Sequence, residues 1–145
     1  MELSREAKLV SGITILLIPT IMYGGWTLLG ILTHGEAAPR PGGLILNDTQ
    51  WSLWRAGHAH AGVWAILSLL LQIFLDSTRL GSATRWVARI AAPLGAIVLS
   101  GGLFGVAYST SFRWVLYLGA IAMLVALVIT GLGLLRDLAH PHRAA

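Results

Sequence analysis

The run AGHAHAGVWAILSLLLQIFL, Ala56 to Leu75, crosses 20 residues without a formal charge, between Arg55 and Asp76. At about 1.5 Å of rise per residue, a helix of that length covers the roughly 30 Å of a bilayer's hydrocarbon core. Three other windows read the same way: Leu9 to Leu32, Ile90 to Phe112 and Trp114 to Leu135. The expected fold is therefore all-α, a four-transmembrane-helix bundle in one membrane domain over residues 1–145, with helices about 9–33, 54–75, 88–110 and 113–136.

Composition agrees with this reading. The chain is 56% hydrophobic and only 11% charged, far from the balance of a globular domain in water. The first window follows Arg5 and Lys8 but is too long for a signal peptide and lacks a small-residue cleavage pattern, so it is expected to be retained. There is no cysteine, which excludes disulfides, thiolate ligands, iron–sulfur clusters and covalently attached c-type haem.

Cations alternate across the predicted spans. Arg5, Lys8, Arg79, Arg85, Arg89, Arg136 and Arg143 fall on one side, against Arg40, Arg55 and Arg113 on the other. Seven against three predicts both termini in the cytoplasm. The net charge of +4 then belongs to topology and the lipid bilayer, not to nucleic acid, because no basic helix or aromatic platform stands outside the spans.

The connection from about Thr33 to Leu53 is the one long loop expected, and its length suits a cap folded over the bundle's mouth. Trp51 and Trp54 at its end suit the headgroup belt. The second connection, Asp76 to Arg89, reads as a plain polar and basic link, and the third as a tight turn at Ser109 to Arg113. Glycines are frequent within the spans: Gly24, Gly25 and Gly30, then Gly95, Gly101, Gly102 and Gly105, then Gly119, Gly131 and Gly133. They fit close helix packing or space for a flat cofactor, and Pro19 fits a kink.

His58 and His60 stand out within the quoted run, because an imidazole inside a spanning helix is costly and marks a functional site by default. Two residues apart on a helix, they point about 200° from one another, so one chain cannot close both on a small ion. They can serve two neighbours, as when identical subunits ring an axis with a site at each interface. The remaining alternative is a hydrogen bond across helices or a side chain reaching for the membrane surface. Without thiolate or intramembrane carboxylate, the donor set of imidazole, hydroxyl and water suits haem b, whose apolar ring is at home in a bundle and whose propionate could pair with Arg55. Copper fits less well, for want of further histidines and of methionine in matched helices.

Tyr23-Gly24-Gly25-Trp26 is similar to the aromatic-glycine-x-glycine-x-tryptophan stretch of the styrene oxide isomerase family of small four-helix membrane enzymes, which the chain resembles at further positions. Trp54-Arg55-Ala56-Gly57-His58 is similar to its tryptophan-to-axial-histidine segment, and Ala59-His60-Ala61-Gly62 to its Ala-His-x-Gly. Ser100-Gly101 followed by Tyr108 matches the spacing of its Asp-Gly and haem-pocket tyrosine. The resemblance implies a trimer with ferric haem b between subunits, an axial His58 or His60 with His58 preferred, and Arg55 and Gly62 beside the cofactor. It implies that iron acts as Lewis acid in isomerising a small apolar epoxide to an aldehyde, with Tyr108 and His60 as catalytic candidates. The family's distal asparagine has no counterpart: Trp64 or Ile66 stands there, depending on the histidine aligned. The helix also resembles the haem-ligand segments of haem–copper oxidases. Electron transfer or gas binding, and a scaffold without cofactor, are the other readings.

Overall fold

The computed structural model describes residues 2–34 and 47–139. Four helices follow one another: α1 (Arg5–His34), α2 (Asp48–Asp76), α3 (Ser82–Tyr108) and α4 (Arg113–Ala139), with a 3₁₀ turn at Thr110–Phe112 joining the last two. Each contains a stretch long and apolar enough to cross a membrane. The fold is that of an all-α protein and fits an integral, multi-pass membrane protein.

Three helices begin earlier than the charge-free windows suggest, α1 by about one turn and α2 and α3 by more, and local chemistry says why for α2. The Asn47 side chain accepts from the Gln50 backbone N–H at 3.0 Å, and the Gln50 side chain accepts from the Asn47 N–H at 2.9 Å. This capping box starts α2 at Asp48, so residues 48–53, expected in the loop, form its first turns and carry Trp51 into the helix. The Gln50 amide also donates to the Ala107 carbonyl at 2.7 Å, fastening that end of α2 to α3. Of the expected loop, residues 35–46 lie outside the described residues, and the cap over the mouth with them.

At the opposite end α3 starts at Ser82, which shortens the second connection and makes Arg89 a helical residue. Arg89 is only 2% exposed, not the interfacial cation that its place in the charge count suggests. Its guanidinium pairs with Asp76 and donates to the Gln72 side chain at 3.2 Å and to Ser4 Oγ at 3.3 Å. Gln72 donates in turn to the Arg89 carbonyl at 3.2 Å. Ser4 donates to Asp76 from its backbone N–H at 2.7 Å and its hydroxyl at 2.8 Å, while its Oγ accepts from the Ala7 N–H at 3.1 Å. Such a buried charge is tolerable because its partners are complete. The cluster joins the start of α1, the end of α2 and the first turns of α3. The Arg79 N–H donating to Asp137 at 2.8 Å brings the end of α4 to the same side.

Three glycines of α3 and α4 permit close packing, whereas Gly101 and Gly131 have open space around them. A Cβ on Gly119 would come within 2.2 Å of the Leu99 nitrogen, one on Gly102 within 2.5 Å of the Leu116 Cα, and one on Gly95 within 2.8 Å of the Met123 nitrogen. The two backbones therefore touch, with Leu71, Ala92, Ala96, Met123 and Ala126 forming the apolar core beside them. By contrast, α1 leans on α2 and scarcely meets α3. Its outer side chains, such as Leu16 at 78% and Met22 at 68% exposure, pack against little among the described residues.

Replacing Gly119 with Ala is expected to lower stability by about 1–3 kcal/mol through overpacking, whereas Gly12→Ala, with open space around it, stays neutral or gains up to ~1 kcal/mol of helix propensity. Arg89→Ala should cost about 3–5 kcal/mol by leaving the Asp76 carboxylate with its Ser4 hydrogen bonds but no counter-ion. Unfolding in mixed micelles, followed by circular dichroism, checks all three.

Candidate functional site

The candidate residues converge on the first half of α2, where an exposed stripe runs down the helix through Ser52, Arg55, Ala59, Val63, Ile66 and Leu70. Its two edges carry different histidines. On one flank, His58 lies half-buried against the Gly24-Gly25 step of α1: a Cβ on Gly25 would stand 2.9 Å from both Cε1 and Nε2 of the ring. The absence of side chains at that step gives the imidazole its place. Gly57, one residue earlier, is likewise covered by the Phe104 ring, 3.0 Å from where its Cβ would be.

His60 lies exposed on the other flank, in keeping with the 200° that separates neighbours at this spacing. Its Nδ1 is 2.7 Å from the Ala56 carbonyl, one turn back. A carbonyl can only accept, so Nδ1 is the donor in this contact, and Nε2 makes no hydrogen bond among the described residues. Metal-binding histidines are held by this same kind of outer contact, which fixes the tautomer and the ring's direction. The Trp64 ring, centred 6.4 Å away and tilted by 42°, braces the imidazole from the following turn. The i−4 and i+4 spacings of Ala56 and Trp64 were visible in the sequence; that the carbonyl and indole engage this imidazole was not.

The other candidates distribute unevenly. Around the helix, Arg55 and Gly62 lie within about 20° of one another and about 60° and 40° from His58, so all three share one flank. Arg55 is exposed and makes no hydrogen bond or ion pair among the described residues, and no heavy atom lies within 4 Å of a Cβ placed on Gly62. His60 is about 140° from Arg55. Tyr108, at the end of α3, is half exposed and sits beside Trp54, ring centres 6.1 Å apart. Trp54 also meets Phe104 edge-on at 5.9 Å and Trp51 at 6.4 Å. No contact joins Tyr108 to either histidine within the described chain, and no group of three His, Asp or Glu side chains gathers there to hold a metal ion.

Direction thus keeps His58 and His60 of one chain from closing on the same small ion, while a single imidazole with an unengaged Nε2 suits a cofactor that asks one axial ligand of each protein face. The donor set fits haem b on that ground. Of the two histidines, His60 has the free and oriented nitrogen; the corresponding edge of His58 meets the backbone of α1. The chain matches no protein-family model, no curated protein and no solved structure.

If His58 is wedged at Gly25 as described, Gly25→Ala should destabilise the α1–α2 contact by about 1–3 kcal/mol, and His58→Ala in the same chain should restore part of the loss. A double-mutant cycle on thermal unfolding reads the coupling; additive effects would contradict the contact.

Proposed function

We propose that this chain is a haem b-binding integral membrane protein in which His60 is the axial ligand and the site is completed between copies of the chain. The observation that carries the reading is the Nδ1 contact of His60 with the Ala56 carbonyl at 2.7 Å, which leaves Nε2 of this exposed residue without a hydrogen-bond partner among the described residues. The flanks of α2 support the shared site. His60 lies on one edge of the exposed stripe, and Arg55 and Gly62 on the other, so copies arranged around an axis, as in a trimer, bring one chain's His60 toward the next chain's Arg55 and Gly62. Arg55 then offers a bidentate partner for a propionate, and Gly62 gives clearance for a flat ring.

The reaction favoured is isomerisation of a small apolar epoxide to an aldehyde, for which ferric haem supplies a Lewis acid when bound. The chain's own part is to hold the epoxide in an apolar environment without water and to direct its oxygen. The Tyr108 hydroxyl, not hydrogen-bonded among the described residues, is the donor suited to that oxygen. Trp54 fixes the Tyr108 ring, and the indole N–H of Trp64, buried without an acceptor beside His60, is a further unused donor. Electron transfer with imidazoles on both iron faces is the second reading, raised by the opposed histidines. The wedge of His58 against Gly25 weighs against it, since His58 would have to leave α1 to ligate.

Purified protein supplied with haem in detergent should show a Soret band that shifts with cyanide or imidazole. His60→Ala should abolish it and His58→Ala should retain it. No band in the wild type, or a band unchanged by His60→Ala, overturns the assignment. A sharp low-spin spectrum that ignores both added ligands selects electron transfer over catalysis.

A further inference from the structure

Because α1 is held at its ends and stands away from α3 between them, a cleft of about 310 Å³ opens among α1, α2 and α3, walled by residues such as Leu17, Ala61 and Ala65. A second cleft of about 340 Å³ lies further along the same two helices, and the two share Thr14, Leu17, Pro93 and Ile97. Together they form a groove that runs from Trp86 and Leu9 to Ser100 and Phe104, with apolar walls almost throughout.

Three hydroxyls line the inner part, and two are engaged. Thr14 donates to the Val10 carbonyl at 2.8 Å and Thr20 to the Leu17 carbonyl at 2.6 Å. Ser100 differs: it is 4% exposed, and its Oγ has no hydrogen-bond partner among the described residues. A buried hydroxyl without an acceptor is unfavourable, and such groups in native proteins call for a partner. Water is a poor one here, because beyond the two threonine hydroxyls, both already donating to carbonyls, the surrounding walls are apolar. Ser100 also lies about 12 Å along the helix axis from Tyr108, too deep for a lipid headgroup to reach.

We propose that this groove binds a neutral, mainly hydrocarbon molecule bearing one hydrogen-bond-accepting oxygen, which enters sideways from the bilayer and accepts from the Ser100 hydroxyl. The apolar walls supply affinity by burial and the single donor fixes the oxygen's position, the usual division in small-molecule sites. The site stands on the flank of α2 away from His60 and is independent of haem binding.

Benzophenone is a suitable probe: an apolar ketone that cross-links neighbouring C–H groups under light. With the full chain in lipid nanodiscs, labelling should concentrate on α1 near Leu17 and Ile21 and on α3 near Ile97 and Phe104. Excess fluorenone should compete, and fluorene, which lacks the oxygen, should compete far less. Ser100→Ala should weaken competition by fluorenone about three- to tenfold, as one buried hydrogen bond predicts. Ser100→Thr, which keeps the hydroxyl, should preserve it, and Ala61→Leu, which fills the groove, should abolish labelling. Labelling spread over the outer face of α4, or competition by fluorenone unchanged in Ser100→Ala, overturns the proposal. Measurements without added haem should give the same pattern, so failure of the haem assignment and failure of this one are separately visible.

Discussion

Direct contact between the backbones of α3 and α4 is the constraint on which the other packing depends. Helices in hydrocarbon gain little from hiding apolar surface from lipid, so association rests on close approach and on polar contacts. Gly95, Gly102 and Gly119 permit that approach, and no larger residue fits where their Cβ would meet main-chain atoms. The resulting pair gives α2 a surface to pack against, and α2 in turn supports α1. Distance from this pair follows the order of attachment: α1 is the least embedded helix and leaves the groove beside it.

Polar contacts near the start of α1 and a packing contact toward its other end compensate for that loose attachment. Near its start, Ser4 bonds to Asp76 and Arg89, a cluster in which every charge has a partner. Toward its other end, His58 fills the space opened by Gly24 and Gly25. Between these points Pro19 and Leu16 are exposed, while Leu17 lines the groove. A helix pinned at two places and free between them is suited to admitting a ligand from the side, without the whole bundle having to open.

The two histidines show how one pattern can serve two purposes. Helical periodicity alone turns them to opposite flanks, but it assigns neither a task. The structure gives His58 a packing contact and His60 a backbone hydrogen bond that leaves a nitrogen free. The preference for His58 as ligand, which follows from alignment by spacing to Gly24, is therefore reversed in the reading proposed above. The reason is physical: an imidazole whose edge meets a neighbouring backbone is less available than one on an exposed residue whose second nitrogen has no partner among the described residues.

Much of the fold was legible in the sequence, because the length and apolarity of a spanning helix are local properties set by the hydrocarbon thickness. Four helices, their order and the opposed directions of His58 and His60 follow from that alone. Element ends were less legible, since the cap at Asn47 and the start of α3 at Ser82 depend on particular side chains reaching particular amides and carbonyls. The role of Arg89 was hidden altogether: charge counting treats it as an interfacial cation, and only the meeting of Ser4, Gln72 and Asp76 around it makes burial tolerable. Likewise, glycine at positions 25 and 119 reads the same in sequence, yet one accommodates an imidazole and the other a backbone. Sequence determined which segments can cross a membrane; tertiary structure decided which groups meet there, because contacts between helices depend on rotation and depth that no single helix fixes.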